Sequence, residues 1–177
     1  MGASEKKKMS AEEQQQAWLK YAAPGEAHGY FRRLEGRWRA SVKFWMGPAA
    51  PPQASDGMSE NTLILGGRFL QSKFMGDTPF GPFEGMSIDG YDQLGGKHIG
   101  VWLDSMGTMM MWFEGTVDES GAVREMISNH LDAATGEPAQ MKSKTTIISD
   151  DEHLYEGFKK EDDGWLKNME ITYTRKK

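Results

Sequence analysis

From Gly36 to the end of the chain, apolar and polar residues alternate, and turn residues interrupt the alternation at regular intervals. A period of two predicts β-strands with one buried face, and closely spaced turn signals are typical of a meander. The connections are too short for the crossovers of parallel strands, so neighbouring strands are expected to pair antiparallel. The ten predicted strands are residues 37–46, 57–65, 68–75, 83–91, 97–104, 108–117, 123–131, 139–148, 153–159 and 165–174.

Before Gly36 the pattern is helical. Ser10 and Glu13 have the spacing of a capping box, which predicts a helix over 11–22 that ends before Pro24. A second short helix is predicted because four apolar residues recur at helical spacing. These residues are Ala27, Tyr30, Phe31 and Leu34. The chain therefore divides into a helical N-terminal segment, 1–35, and a β domain, 36–177.

The β domain is expected to be a closed antiparallel meander barrel of about ten strands. An open sheet would leave unpaired edges, which closure removes. A two-sheet sandwich is the alternative. Gly66-Gly67 predicts a two-residue hairpin turn of a primed type, and the only long loop is predicted at Gly47–Asp56.

Composition narrows the class of protein. The 38% hydrophobic content, with 6 Trp, 5 Tyr and 8 Phe, is sufficient for one sizeable core. The net charge is −5 without a basic cluster outside the chain ends, so no nucleic-acid partner is expected. Cysteine is absent, which excludes disulfides and thiolate metal sites. No signal-like or membrane-spanning apolar run is present, so we expect a cytoplasmic protein without membrane contact.

Gly36, Trp38 and Arg175 resemble the structural signature of the calycins. In that signature a tryptophan at the start of the first strand closes one end of the barrel, and an arginine of the last strand packs over it. The resemblance implies a structural role for all three residues at one barrel end.

A broader resemblance covers most of the chain. It rests on residues 43–46, 65–70, 82–85, 90–92, 102–107 and 171–175. Together they resemble the uncharacterised bacterial domain-of-unknown-function family 1579, which implies a calycin-like barrel of the lipocalin and nitrobindin kind and no established activity. Nitrobindin-type barrels carry haem, but the second glycine of their first-strand motif is missing here. No cofactor is therefore predicted, with haem on His130 or His153 as the alternative.

Candidate ligand-binding residues were sought among aromatic, methionine and polar side chains of predicted strands. A methionine-lined cavity adapts to irregular apolar ligands, and a carboxylate beside an aromatic ring can orient a ligand. The candidates are Trp102, Asp104, Met109, Met111, Phe113, Glu84, Met86 and His130. Alternatives stay open, because methionine also fills cores, Asp104 also suits a turn, and glutamates are usually solvated.

Three functions are compatible with these residues. The first is a barrel that binds a small, largely apolar molecule. The second is an enzyme that uses Asp104, Glu84 or Glu114 as an acid or base, although no catalytic motif is recognisable. The third is a homo-oligomeric protein, such as a homodimer, with a filled barrel that associates through Trp45 and the Gly47–Asp56 loop. The four histidines lack metal-ligand spacing, so no metal site is predicted.

Overall fold

The computed structural model describes residues 9–78 and 81–177. Within them the chain forms two α-helices and ten β-strands. The helices are α1 (Ala11–Ala22) and α2 (Gly29–Leu34), joined through a 3-10 turn at Glu26–His28. The strands are β1 (Gly36–Phe44), β2 (Gln53–Ile64), β3 (Phe69–Thr78), β4 (Gly81–Asp92), β5 (Lys97–Asp104), β6 (Met111–Val117), β7 (Val123–Leu131), β8 (Pro138–Ser149), β9 (Glu152–Glu161) and β10 (Gly164–Arg175).

The strands form a closed barrel in which each strand pairs antiparallel with its neighbours in sequence. Closure is made by β1, which pairs with both β2 and β10; Trp38, for example, lies opposite Ser59 on one side and Arg175 on the other. The predicted antiparallel barrel is confirmed, and the sandwich alternative is wrong. Pairing on both sides satisfies the backbone groups that a sandwich would leave unpaired at its sheet edges.

Two local predictions differ from the structure. β2 begins at Gln53 rather than at residue 57, because it pairs with β1 as far as Phe44 and so shortens the predicted long loop. The turn after β2 has four residues rather than two, since Ile64 lies opposite Phe69. Three successive residues of this turn, Leu65 to Gly67, have positive φ. The two consecutive glycines tolerate that conformation without strain.

The N-terminal segment closes one end of the barrel. Phe31 of α2 is completely buried and packs in a core with Tyr30, Leu34, Leu70 and Ile147. We call this end, where β1 begins, the sealed end. The opposite end, where β1 ends and β6 begins, is called the open end.

The capping box at Ser10 and Glu13 forms as predicted, but α1 buries no side chain. It is attached at its C-terminal end by hydrogen bonds to backbone carbonyls. Arg68 Nε donates to Ala22 O at 2.9 Å, and Gln93 Nε2 donates to Tyr21 O at 2.7 Å. In the part of the chain that the structure describes, no helix has the length and apolar character needed to cross a membrane.

Candidate functional site

Gly36, Trp38 and Arg175 meet at the sealed end. The guanidinium carbon of Arg175 lies 4.1 Å from the centre of the Trp38 ring, and Trp38 Nε1 donates to Leu34 O at 2.9 Å. Arg175 also donates to three backbone carbonyls, those of Arg33, Glu35 and Asp150. Gly36 has φ +125°, and a Cβ there would lie 2.5 Å from Arg175 Nη1. The stacking that the calycin resemblance implied is present, and it joins helix, first strand and last strand.

Strand alternation and register decide which side chains point into the barrel. Many of the inward positions carry small residues, and larger inward side chains pack over several of them. The small residues are Ala40, Ser55, Gly57, Ser59, Ser72, Gly76, Gly85, Ser87, Gly100, Gly115, Ser128, Ala139, Ser143 and Gly157. Phe74 covers Gly57 and Asp89 lies against Gly100, so these positions accommodate large neighbours.

Three inward aromatic rings line the wall toward the open end. The centres of the Phe74 and Phe83 rings are 5.9 Å apart, and the Phe83 ring stacks on Trp102 at 6.4 Å. Trp102 lies directly over Gly85, where a Cβ would collide with it. All three rings are half-buried although they point into the barrel, so they retain accessible surface.

Asp104 takes part in the turn that the sequence left open as the alternative to ligand binding, and it also bonds to Trp102. Its Oδ2 accepts a hydrogen bond from Trp102 Nε1 at 2.7 Å, and its Oδ1 accepts one from the backbone nitrogen of Met106 at 2.9 Å. The carboxylate therefore fixes the orientation of the Trp102 ring and also stabilises the turn after β5.

The predicted ligand-binding residues fall into two groups. Five lie on inward strand positions, namely Trp102, Asp104, Met111, Phe113 and His130. Glu84 and Met86 lie on the outer face of β4, and Met109 lies before β6 and is exposed. These three residues therefore lie outside the barrel interior and cannot contact a ligand held inside it, which corrects their assignment to a cavity; for Glu84 this is the solvated alternative that the sequence left open. On β4 the inward position between Glu84 and Met86 belongs to Gly85, which lies under Trp102.

Two of the three carboxylates proposed for acid or base chemistry, Glu84 and Glu114, lie on the outer face. Glu114 forms an ion pair with Lys97 on the barrel surface, and Glu84 is exposed. Neither glutamate shares the inward face of Asp104.

Trp45, proposed for a subunit contact, is half-buried, and Lys167 Nζ lies 5.4 Å from the centre of its ring.

A buried ion pair near the sealed end was missed by the sequence reading. Arg124 Nη1 donates to Asp89 Oδ1 at 2.9 Å, and Ser87 Oγ donates to Asp89 Oδ2 at 2.7 Å. Both charged side chains are almost entirely buried, with exposed fractions of 11% and 12%. The absence of a side chain at Gly100 allows Asp89 to occupy this position, because a Cβ on residue 100 would lie 2.9 Å from Asp89 Oδ1.

Several polar groups surround this pair. The guanidinium carbon of Arg124 lies 5.3 Å from the centre of the Tyr30 ring. Burial lowers the pKa of His98 to about 4, with a smaller contribution from the positive charge of Arg124. Burial raises the pKa of Tyr155 to about 12, and Arg124 opposes that shift. We refer to Tyr30, Asp89, His98, Arg124 and Tyr155 as the Arg124 cluster.

The ring of His153 packs between two aromatic rings near the sealed end. It stacks on Tyr173 with centres 4.4 Å apart and meets the Trp38 ring edge-on at 4.3 Å. Burial lowers the pKa of His153 to about 3, and Arg175 and Arg124 lower it further. Burial likewise raises the pKa of Tyr173. His153 is therefore a neutral imidazole at physiological pH.

Polar atoms without a partner are concentrated in the interior. Among residues 9–78 and 81–177, buried side-chain atoms lacking a hydrogen bond include Tyr30 Oη, His98 Nδ1, Ser128 Oγ, His130 Nδ1 and His153 Nδ1. Buried polar groups normally find a partner, and a group left without one indicates a missing water or ligand. These atoms mark the interior as a site that is incomplete without further hydrogen-bonding partners.

The sequence did contain a signal for the missed ion pair. Arg124 shares strand parity with Met126, Ser128 and His130, so a charged residue stands on a face that is otherwise uncharged. A charge is rarely buried unless it is paired, so the signal called for an inward carboxylate on another strand. Alternation alone does not say which of the many carboxylates that is.

Metal ligands and surface grooves were also considered. Over the residues with described positions, no three His, Asp or Glu side chains converge as a metal site would require. His130 and His153, the haem candidates, lie toward opposite ends of the barrel. Two open grooves of about 880 and 720 Å³ lie beside Met58 and Met75, and the second is also lined by Glu84, Met86 and Asp104. Neither groove is lined by the Arg124 cluster.

The fold and the interior define the protein as a closed ten-stranded antiparallel barrel with a polar cluster behind an aromatic wall. The chain belongs to the family described as Protein of unknown function (DUF1579), whose sequence model matches residues 23–175. It is also similar to the solved structure of a redesigned β-barrel, with 13% sequence identity, a TM-score of 0.45, and coverage of 84% of this chain and 96% of that chain. No curated protein matches the sequence.

Proposed function

We propose that the protein is a calycin-like container that binds a small, largely apolar molecule inside the barrel. The observation that carries the proposal is that inward aromatic rings toward the open end, among them Phe83, Trp102 and Phe113, keep accessible surface. Apolar surface exposed within a concave wall is the usual environment of a ligand.

Methionine extends this wall. Met111 lies beside Trp102 in the register, and Met141 lies opposite Ser128 on the next strand. Both are inward and half-buried. A flexible thioether adapts its shape to the molecule in contact with it, which suits a ligand held mainly by apolar contact.

The enzyme alternative has less support. Glu84 and Glu114 lie outside the barrel, and both oxygens of Asp104 already accept hydrogen bonds. A general acid or base needs access to its substrate, which none of these three carboxylates offers inside the barrel.

The test uses the neutral fluorescent probe N-phenyl-1-naphthylamine, whose emission rises in an apolar site. We expect saturable binding to the wild-type protein and at least tenfold weaker binding to Trp102→Ala, because the ligand loses its largest contact surface. The matched control is Trp112→Ala on the neighbouring strand, where the ring points outward and is 66% exposed.

Absence of saturable binding to the wild-type protein would refute the proposal, as would an equal loss in the Trp112→Ala control, which would place the probe on the outer surface. Phe113→Leu serves as a milder second interior variant if Trp102→Ala does not fold. Native mass spectrometry of the purified protein would identify a ligand retained from its source.

A further inference from the structure

Arg124 has more hydrogen-bond donors than the protein satisfies. A guanidinium carries five N–H donors. Only one hydrogen bond of Arg124 is made within the described residues, the one from Nη1 to Asp89. Nε and Nη2, which form one planar edge of the group, therefore have no acceptor among the described residues. Neither nitrogen is completely buried, so both are accessible to an acceptor that the protein does not supply.

Asp89 faces Nη1 of Arg124 and not the Nε–Nη2 edge. Its Oδ1 accepts from Arg124 Nη1, and its Oδ2 accepts from Ser87 Oγ. The Gly100 backbone lies close to Oδ1, since a Cβ at this position would be 2.9 Å from it. Asp89 makes no hydrogen bond to the Nε–Nη2 edge, which is therefore left for another acceptor.

Further unpartnered hydroxyls lie around the same arginine. Thr145 lies directly opposite both Arg124 and Tyr155 in the register, so these side chains form one inward row across three strands. The Tyr155 hydroxyl makes no hydrogen bond to another described residue, and Ser128 Oγ and Tyr30 Oη are buried without one. The cluster thus places several hydroxyls that can donate hydrogen bonds around the free edge of the guanidinium.

We infer that the Arg124 cluster binds the carboxylate of a hydrophobic carboxylic acid whose apolar body lies toward the Trp102 wall. A carboxylate presents two oxygens in a plane, which matches the Nε–Nη2 edge of a guanidinium and accepts further hydrogen bonds from hydroxyls. The inference rests on the proposed binding function and names its ligand class. A doubly charged phosphate fits less well, since Asp89 already offsets the single charge of Arg124.

The ligand-side test compares decanoic acid with 1-decanol and decanamide, which share the apolar chain and lack the negative charge. Each compound displaces N-phenyl-1-naphthylamine from the wild-type protein. We expect the acid to bind at least tenfold more tightly than either neutral analogue. Equal affinities for all three would overturn the inference and leave the proposed function standing, whereas no binding of the probe or of any compound would refute the proposed function itself.

The protein-side test replaces the ion pair by neutral groups of similar shape, Arg124→Gln with Asp89→Asn, so that no unpaired charge is left buried. We expect the preference for the acid to fall at least tenfold while the affinity for 1-decanol stays within threefold. The matched control is Lys159→Gln, which removes an inward cation toward the open end whose side chain is 51% exposed. If the preference for the acid were lost in Lys159→Gln and kept in the double variant, the assignment of the carboxylate site to the Arg124 cluster would be wrong.

A third variant keeps the test decisive if the double variant does not fold. Tyr155→Phe removes one free hydroxyl and no charge, and we expect it to weaken binding of the acid several-fold and of the alcohol much less. Circular dichroism confirms folding of each variant. An unchanged ratio of acid to alcohol affinity in the double variant, or in Tyr155→Phe where the double variant does not fold, would exclude the Arg124 cluster as the carboxylate site.

Discussion

His98 and His153 are neutral imidazoles inside the barrel, and their burial connects stability to pH. Both have a pKa near 6.5 when solvated, and burial lowers it to about 4 for His98 and about 3 for His153. The pKa of His28 moves in the same direction. As the pH falls below about 6.5, the unfolded chain binds protons that the folded chain does not, so the folded state loses stability.

We therefore predict that the free energy of unfolding falls between pH 7 and pH 5 by roughly 2 kcal/mol for each of the two histidines. Urea unfolding at the two pH values measures this difference. In His153→Phe, whose ring can keep the contacts with Trp38 and Tyr173, the decrease should be smaller by about half. The same decrease in the variant and in the wild-type protein would contradict the stated cause.

The sequence predicted parts of the candidate site and missed others for identifiable reasons. Trp102 and Asp104 were expected on one face, and they share it. Alternation set Glu84 and Met86 on one strand face with Ile88 but did not say whether that face is inward, and a solvated Glu84 stayed open as the alternative. In the structure Trp102 from the next strand covers Gly85, so the glycine takes the interior position. A contact between two strands thus decides which residues of β4 point into the barrel. The sequence of β4 alone does not contain that information.

At the scale of elements, α2 and α1 differ sharply in what they contribute. Phe31 of α2 is fully buried at the sealed end and meets the rings of Tyr30 and His98 edge-on. Trp18 of α1 is 64% exposed, in a helix that buries no side chain. Stability from this segment should therefore come from the second helix.

We predict that Phe31→Ala lowers the free energy of unfolding by about 3–5 kcal/mol, the usual cost of removing a buried aromatic ring. Trp18→Ala is the matched control and should change it by less than about 0.5 kcal/mol. Chemical denaturation of both variants at pH 7 measures the values. Similar losses in the two variants would mean that α1 packs against the barrel and is not exposed.

A comparison of the predicted and observed strand ends shows which of them the local sequence pattern determines. β5 and β7 begin and end at the predicted residues because turn residues flank clear alternation on both sides. β2 starts earlier than predicted, since Ser55 and Gly57 occupy its inward positions and give no apolar signal. Pairing with β1 nevertheless extends the strand, so its length is set by its neighbour and not by its own composition.

At the scale of the whole molecule, closure joins residues that are far apart in sequence. Trp38 of β1 lies opposite Arg175 of β10 in the register. The Arg175 guanidinium also donates hydrogen bonds to the backbone carbonyls of Arg33 and Glu35. Contacts of such long range must await the folding of the strands between them. The same contact seals one barrel end, so closure and the enclosed interior depend on each other.

If the barrel is closed, β1 has a partner strand on each side. Its tolerance of proline therefore distinguishes a closed barrel from an open sheet. Successive backbone N–H groups of a strand point to opposite neighbours, so in an edge strand one of any two adjacent residues tolerates proline. β1 has partners on both sides at Ser41 and Val42. Ser41→Pro and Val42→Pro should each cost about 1–3 kcal/mol or more, because each removes a ladder hydrogen bond and leaves its acceptor unpaired. Urea unfolding compares them with Ser41→Ala and Val42→Ala, which keep the N–H group. Tolerance of either proline would show that one side of β1 is unpaired in solution, and the barrel would then be open at the β1–β2 or β1–β10 contact.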